Sequence, residues 1–181
     1  LQINIGYKCN QACSHCHVNA GPNRKEMMSE ETIKIIPKVI EANNIKVLDI
    51  TGGAPELHPK FKQLITEVKS LGVQIIDRCN LTILTEPGYK DMAQFLASNK
   101  VKIIASLPCY LKDNVDEQRG VGVFEKSIQA LKTLNSFGYG IENSKLILNL
   151  VYNPNCPHLP PSQLELEETY RKALKNRFGI Y

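Results

Sequence analysis

Three features are missing from this 181-residue sequence, and each absence excludes a class of protein. No apolar run approaches the ~20 residues that cross a bilayer, and no secretory hydrophobic segment precedes the first apolar stretch. Lys and Arg total 22 against 18 acidic residues, and they are scattered rather than clustered. No internal repeat or low-complexity tract is present. We therefore expect a cytoplasmic protein that contacts neither a membrane nor a nucleic acid.

A fourth cysteine is also missing from the most distinctive motif. Cys9, Cys13 and Cys16 lie within eight residues in the spacing C-x3-C-x2-C, with no cysteine close behind. Structural zinc sites and closed iron–sulfur clusters normally take four protein ligands. Three thiolates on one loop can instead hold three irons of a cubane cluster and leave the fourth iron open to a small molecule. A zinc site completed by His15 or His17 is the alternative.

The other three cysteines are far apart in the sequence. Cys79, Cys109 and Cys156 each follow a predicted strand, which would place them on the same mouth of the fold. Without a signal peptide, six cysteines arranged in this way favour metal binding over a disulfide framework. Each of these three thiols is either a ligand for a thiophilic substrate or an inert buried side chain.

Apolar stretches alternate with amphipathic patterns along the chain. Helical patterns begin near Ser29, Phe61, Met92, Phe124 and Ser162. The predicted strands are Gln2–Tyr7, Lys46–Thr51, Val73–Arg78, Val101–Leu107 and Lys145–Tyr152. Their near-continuous hydrophobicity predicts strands that are buried on both faces.

This βαβα order predicts an α/β fold with parallel strands and right-handed crossovers. Five to six strands with outer helices correspond to a partial TIM-type (β/α) barrel, and a flavodoxin-like open sheet is the rival. We expect one domain over residues 1–181. The sequence opens in a strand without an initiator Met, and a sixth strand would start at 178–181, so we expect a fragment of a longer protein.

In a parallel barrel, functional residues gather at the carboxyl ends of the strands. Gly52 and Gly53 end the second strand and would allow a close backbone approach, although a plain turn is the alternative reading. Asn80, Ser106 and Asn149 are small polar residues in or after later strands, where satisfied turn residues are also common.

The motif Y-K-C-N-Q-A-C-S-H-C-H after an apolar strand resembles the signature of radical S-adenosylmethionine (SAM) enzymes. The resemblance implies that Cys9, Cys13 and Cys16 bind a [4Fe-4S] cluster whose open iron binds SAM. One electron would then cleave SAM to methionine and a 5′-deoxyadenosyl radical. It also implies a small-molecule substrate and a reducing partner such as flavodoxin or ferredoxin.

The same resemblance implies a set of SAM-binding residues. Many relatives carry an aromatic residue at the position of His15, near the adenine. The family's Gly-Gly-Glu motif has its acid displaced here by two residues, to Glu56. The implied SAM-binding residues are His15, Gly52, Gly53, Glu56, Asn80, Ser106, Arg119 and Asn149.

Longer motifs resemble one subgroup, the radical SAM/Cys-rich proteins linked to arsenosugar biosynthesis. The motifs are C-N-Q-A-C-S-H-C-H-V-N-A-G-P, T-G-G-A-P-E-L, D-R-C-N-L-T, S-L-P-C-Y and N-P-N followed by L-P-P-S-Q. The subgroup implies transfer of the deoxyadenosyl group to a methylated arsenic(III) compound, which Cys79, Cys109 or Cys156 would orient because arsenic(III) binds soft thiolates.

Two departures from this subgroup are visible. Its Cys-rich C-terminal extension is absent from this sequence, and Cys156 stands where glycine is expected. Two rivals therefore stay open: a radical SAM enzyme that acts on a peptide or another small molecule, and a non-catalytic iron–sulfur or zinc module.

Overall fold

A computed structural model describes residues 1–154 and 160–181. Five parallel strands form one sheet in the order β1-β2-β3-β4-β5. The strands are β1 (Gln2–Asn4), β2 (Val47–Thr51), β3 (Gln74–Asp77), β4 (Lys102–Ser106) and β5 (Leu148–Val151). The helices are α1 (Glu30–Ala42), α2 (Phe61–Ser70), α3 (Met92–Ser98), α4 (Lys112–Arg119), α5 (Val123–Ser136) and α6 (Gln163–Phe178). None of these helices has the length and apolar character needed to cross a bilayer.

The strand order distinguishes the two predicted architectures. A flavodoxin-like sheet has the order 2-1-3-4-5, because the chain reverses direction after its first strand. Here each strand pairs with the next one in sequence, and helices form every crossover. The predicted partial (β/α) barrel is therefore confirmed, with five strands. The last helix, α6, continues to Phe178, and residues 179–181 have no assigned secondary structure.

The prediction that the strands are buried on both faces is wrong. Ile50, Asp77 and Ile103 align across the sheet on the face that the helices cover, and each is fully buried. The opposite face holds half-buried polar groups, among them Asp49, which forms a two-point ion pair with Arg78 at 2.9 Å. The strands appear uniformly apolar in sequence because isoleucine also occupies this uncovered face.

The predicted helix signals are largely present. The α2 stripe of Phe61, Leu64, Ile65 and Val68 is buried against the sheet. The hydroxyl oxygen of Ser29 caps α1 by accepting a hydrogen bond from the Thr32 backbone N–H at 3.2 Å. Ser162 caps α6 in the same way, because its hydroxyl oxygen accepts a hydrogen bond from the Glu165 backbone N–H at 3.4 Å.

The helices that link consecutive strands all end in the same way. Asn44, Gly72, Lys100 and Gly138 follow α1, α2, α3 and α5, and each has a positive φ between 51° and 98°. This left-handed residue stops the helix and directs the chain into the next strand. These turns line the rim where the strands begin, so the carboxyl ends of the strands lie at the opposite rim.

Candidate metal centre at the strand ends

The three N-terminal cysteines lie on one closed loop, residues 9–21, which we call the cysteine loop. Its base is held by two backbone hydrogen bonds of 3.1 Å, from the N–H of Cys9 to the carbonyl of Gly21 and from the N–H of Gly21 to the carbonyl of Tyr7. Cys9 is buried, whereas Cys13 and Cys16 are half-buried. The fold therefore presents the three thiols at the end of β1.

The two glycines after β2 hold the cysteine loop in place. The N–H of Gly53 donates to the Gly6 carbonyl at 2.9 Å, and the N–H of Ala54 donates to the Lys8 carbonyl at 2.9 Å. A Cβ on Gly52 would lie 2.6 Å from the Gly6 carbonyl oxygen, and one on Gly53 would collide with the Lys8 carbonyl. These glycines therefore allow backbone to contact backbone, and the close approach is to Gly6 and Lys8, which lead into the cysteine loop.

Backbone and side-chain N–H groups surround two of the thiols. The Cys9 sulfur accepts hydrogen bonds from the Gln11 N–H and from Asn80 Nδ2, each at 3.4 Å. The Cys16 sulfur accepts one from the Ala20 N–H at 3.3 Å. Burial raises the pKa of Cys9, while the Gln11 hydrogen bond and the charge of Arg119 oppose this rise. Metal binding at Cys9 must therefore release a proton from the thiol.

The three loop thiols are not gathered into the compact set that a tetrahedral zinc ion requires. A tetrahedral zinc ion with Zn–S bonds of about 2.3 Å brings its sulfur atoms within ~4 Å of one another. Among the described residues, the one set of three candidate ligand atoms within 4.8 Å of each other lies elsewhere. Cys9, Cys13 and Cys16 are not such a set, so at least two of their sulfur atoms lie more than 4.8 Å apart. None of the five described cysteines forms a disulfide.

Arg119, the last residue of α4, places a positive charge between the ends of β3 and β4. Its guanidinium donates to the Ser106 carbonyl at 2.5 Å and to Asn80 Oδ1 at 2.9 Å. Arg119 is 5% exposed, and its Nε is buried without a hydrogen-bond partner. One N–H of a buried cation is therefore still free to bind an anionic group such as a carboxylate.

A pocket of about 260 Å³ opens beside the cysteine loop. Its lining consists of Ser14, His15, Glu117, Gln118, Asn153 and Pro154. Burial lowers the pKa of His15, so the ring is neutral at pH 7. Its buried Nδ1 has no hydrogen-bond partner. The pocket thus offers a neutral aromatic ring and amide groups, which suit a planar heterocycle.

The last turn of α4 ties this pocket together, and sequence reasoning missed this role. Ser14 donates through its N–H and its hydroxyl to the Gln118 carbonyl, each at 3.1 Å. Gln118 and Asn153 are joined by two hydrogen bonds. The side-chain amide of Gln118 donates to the backbone carbonyl of Asn153 at 3.1 Å, and the side-chain amide of Asn153 donates to Gln118 Oε1 at 2.9 Å. The available signal was Asn153 itself, in the N-P-N motif.

Glu56, Asp77 and Cys79 form a compact buried cluster below the strand ends, and all are 3% exposed or less. The oxygens of both carboxyl groups have no hydrogen-bond partner. Burial raises the pKa of Glu56 from 4.5 to about 7. Burial and the neighbouring Glu56 raise the pKa of Asp77 well above its usual value. The predicted SAM-binding carboxylate of Glu56 is thus enclosed rather than open to the pocket.

The prediction that three cysteines line one open rim is wrong for the two that the structure describes. Cys79 is 1% exposed in the core, and burial raises the pKa of its thiol. Cys109 is 7% exposed, and its sulfur accepts a hydrogen bond from Asn114 at 3.5 Å. Cys156 lies outside the described residues.

The remaining predicted residues lie on the uncovered face of the sheet. Ser106 ends β4 and is half-buried, and Asn149 lies exposed on β5 opposite Ile104. Both side chains therefore face the same side of the sheet, where no helix competes with a ligand.

A family model described as the radical SAM superfamily matches residues 3–155. The chain belongs to this superfamily. Membership confirms the predicted cofactors at the family level, namely a [4Fe-4S] cluster and SAM. The donor set of this chain fits them, because three free thiols share a loop beside a buried arginine with an unpaired N–H.

Curated relatives match about three quarters of the chain. A probable GTP 3′,8-cyclase of Saccharolobus solfataricus is 26% identical over 141 residues, which are 76% of this chain and 44% of that protein. A probable GTP 3′,8-cyclase of Sulfurisphaera tokodaii is 27% identical over 133 residues, or 73% of this chain and 41% of that protein. The chain thus spans less than half the length of these relatives, whose names point to GTP rather than to arsenosugars.

Solved structures share the fold at lower identity. SuiB of Streptococcus suis bound to S-adenosylmethionine has a TM-score of 0.66 at 17% identity, over 96% of this chain and 38% of that chain. The protein anSMEcpe with bound AdoMet has a TM-score of 0.64 at 20% identity, over 83% of this chain and 43% of that chain. These similarities establish the barrel-type fold.

Proposed function

We propose that this chain is the catalytic core of a radical SAM enzyme, one domain over residues 1–181, that cleaves SAM reductively. When bound, the cluster supplies the electron that converts SAM to methionine and a 5′-deoxyadenosyl radical. The observation that carries the proposal is a loop of three free thiols at the strand ends, with the chain that leads into this loop packed against Gly52 and Gly53. Cys9, Cys13 and Cys16 would hold the cluster.

The neighbouring residues bind and orient SAM in this proposal. The unpaired Nε of Arg119 receives the carboxylate, and the neutral ring of His15 lies against the adenine in the pocket beside the cysteine loop. Ser106 and Asn149 face the uncovered side of the sheet and contact the ribose. Glu56 is assigned to the SAM amino group by family resemblance, although its carboxylate is enclosed.

The substrate proposed from the subgroup motifs is a methylated arsenic(III) compound that accepts the deoxyadenosyl group. The support is the combination of motifs that extends over nearly the whole chain. Because Cys79 and Cys109 are buried, neither presents an open thiol to arsenic, and Cys156 is a candidate ligand from the sequence alone. A reducing partner such as flavodoxin or ferredoxin and a cytoplasmic location complete the proposal.

Cyclisation of GTP is the second candidate. It is favoured by relatives that are 26–27% identical over about three quarters of the chain and are named probable GTP 3′,8-cyclases. The two candidates use the same cofactor chemistry and differ in the substrate that reacts with the 5′-deoxyadenosyl radical.

Anaerobic reconstitution tests the cofactor assignment. Wild type is expected to bind about four irons per chain and to release 5′-deoxyadenosine from SAM after dithionite reduction. Cys13→Ala should lose both properties, because a cluster ligand is removed. Ala12→Ser changes an exposed neighbour on the same loop and should keep them. SAM cleavage by Cys13→Ala, or one zinc per chain in wild type, would refute the assignment.

A product assay on the full-length protein separates the substrates. The reduced enzyme is incubated with SAM and either dimethylated arsenic(III) or GTP, and products are identified by mass spectrometry. An adenosylated arsenic species supports the proposed transfer. A cyclised GTP product, with arsenic unchanged, would replace it with the second candidate.

A further inference from the structure

The side-chain amide of Asn80 lies between Arg119 and the sulfur of Cys9. Arginine only donates hydrogen bonds, so the atom 2.9 Å from the Arg119 guanidinium must be the amide oxygen of Asn80. This fixes which way the amide faces, an assignment that otherwise has to be inferred from the surrounding hydrogen bonds. The NH2 group is consequently directed at Cys9 Sγ, 3.4 Å away, and at Asn10 Oδ1, 2.7 Å away.

The four hydrogen-bonding positions of this amide are all occupied. Its oxygen accepts from Arg119 and from the Thr82 hydroxyl, the latter at 3.2 Å. Its two N–H groups are used by Cys9 and Asn10. An asparagine side chain has two acceptor lone pairs and two donors, so nothing remains for SAM. The predicted role of Asn80 as a SAM ligand would require one of these four hydrogen bonds to break.

We infer that Asn80 is a positioning residue that donates a hydrogen bond to the cluster-bound sulfur of Cys9 and raises the reduction potential of the cluster. This inference rests on the proposed function, in which Cys9 is a cluster ligand. Reduction adds negative charge to the cluster and its sulfur ligands. An N–H directed at that sulfur stabilises the reduced state more than the oxidised state.

The location of Asn80 makes this hydrogen bond effective. Asn80 is 4% exposed and Cys9 is 7% exposed, so little water competes with the bond. The backbone N–H groups at Cys9 and Cys16 belong to the cysteine loop itself, whereas Asn80 reaches the loop from the end of β3. Because Arg119 fixes the orientation of the amide, the residue proposed to bind the SAM carboxylate also holds the donor to Cys9.

The midpoint potential of the reconstituted cluster tests the inference directly. It is measured without SAM by spectroelectrochemical titration with EPR detection. Asn80→Ala should shift the midpoint to a more negative value, so that the ratio of reduced to oxidised cluster at a fixed potential falls about threefold or more. Asn80→Asp, which directs a carboxylate oxygen at Cys9, should shift it further in the same direction.

Thr82→Val is the matched control. It removes a hydroxyl that accepts hydrogen bonds from Asn10 at 3.1 Å and Gln11 at 3.2 Å, and so weakens the tether between β3 and the cysteine loop. It also removes the hydroxyl that donates to Asn80 Oδ1, but it leaves the Arg119 bond that orients the amide and the contact between Asn80 and Cys9. If Asn80 only braced the loop, Thr82→Val and Asn80→Ala would change the midpoint equally, and that result would overturn the inference.

Two further outcomes separate this inference from the proposed function. An Asn80→Ala protein with full iron content and an unchanged midpoint overturns the inference alone, whereas a wild-type protein that binds no cluster overturns the proposed function. If Asn80→Ala loses its cluster, its midpoint potential cannot be measured and a second experiment is used. The wild-type protein is labelled with 15N in its asparagine side chains, reduced, and examined by pulsed EPR. A hyperfine coupling to the labelled nitrogen is expected, and its absence would refute the hydrogen bond.

Discussion

At the scale of single residues, Glu56 and Asp77 determine how stability depends on pH. Both have a pKa raised above the ordinary value, so both take up protons when the chain folds. Their contribution to stability is complete below about pH 4, where the unfolded carboxyl groups are also protonated. It is lost as the pH rises toward the folded pKa of Glu56, about 7, and toward the raised folded pKa of Asp77.

Between pH 5 and 7 the free energy of unfolding should therefore fall, by up to about 1.4 kcal/mol per pH unit for each proton taken up. Glu56→Gln cannot ionise and should flatten this decline. Urea denaturation at several pH values gives the free energy of unfolding of both proteins. Equal slopes for wild type and Glu56→Gln would show that Glu56 does not titrate in this range.

Gly53 supports a second prediction at the residue scale. Gly53→Ala would force a Cβ against the Lys8 carbonyl and should destabilise the fold by roughly 2 kcal/mol or more, because backbone cannot move aside as a flexible side chain can. Gly21→Ala on the cysteine loop is the control, since the nearest atom to its Cβ would lie 4.0 Å away. Thermal unfolding of both variants checks the difference, and an equal loss would contradict the backbone contact.

At this scale, the sequence predicted where residues lie along the fold better than it predicted what their side chains contact. The spacing of Cys9, Cys13 and Cys16 was enough to predict a shared loop, because three residues so close in sequence cannot separate far in space. Cys79 was misplaced because a residue that follows a strand can face either the open mouth or the core. Only the packing of the helices decides between the two.

At the scale of elements, α4 is the part of the fold that the sequence did not reveal. Its eight residues, Lys112–Arg119, are mostly charged, and Val115 is its one buried apolar side chain. No hydrophobic periodicity was available to predict a helix. Its stability comes from tertiary contacts instead, and these contacts place Gln118 and Arg119 at the candidate site.

The junction between α4 and α5 depends on Asp116. Its carboxylate accepts hydrogen bonds from the N–H groups of Gly122 at 3.1 Å and Phe124 at 2.9 Å, which caps the start of α5. Asp116→Ala should cost about 1 kcal/mol, as the loss of a helix cap does. Asp113→Ala removes an exposed acid from the same helix and should cost less. Denaturant titration distinguishes the two, and similar costs would argue against the cap.

At the scale of the whole molecule, the helices that the structure describes cover one face of the sheet and leave the other face partly exposed. Ile103 and Ile104 are neighbours on β4 and test this directly, since Ile103 is fully buried whereas Ile104 is half-buried on the uncovered face. Ile103→Ala should cost about 2–5 kcal/mol through lost packing and a cavity. Ile104→Ala should cost less than half as much. Comparable losses of unfolding free energy would mean that both faces are covered.

The sequence pattern predicted the barrel correctly because element order and helix periodicity are local properties. The exposure of the uncovered face cannot be read from local sequence. Ile76 and Ile104 are as apolar as their buried neighbours, yet none of the described helices covers them. The hydrophobicity of a strand shows that its side chains can be buried, but the elements packed around the strand determine which face is buried.

The left-handed turns after the crossover helices have a practical consequence. Asn44 and Lys100 are exposed in these turns, at the rim where the strands begin and opposite the rim that holds the cysteine loop. A surface anchor attached at either position would leave the thiols facing solution, so that an immobilised protein could still be loaded with iron and reached by soluble electron donors.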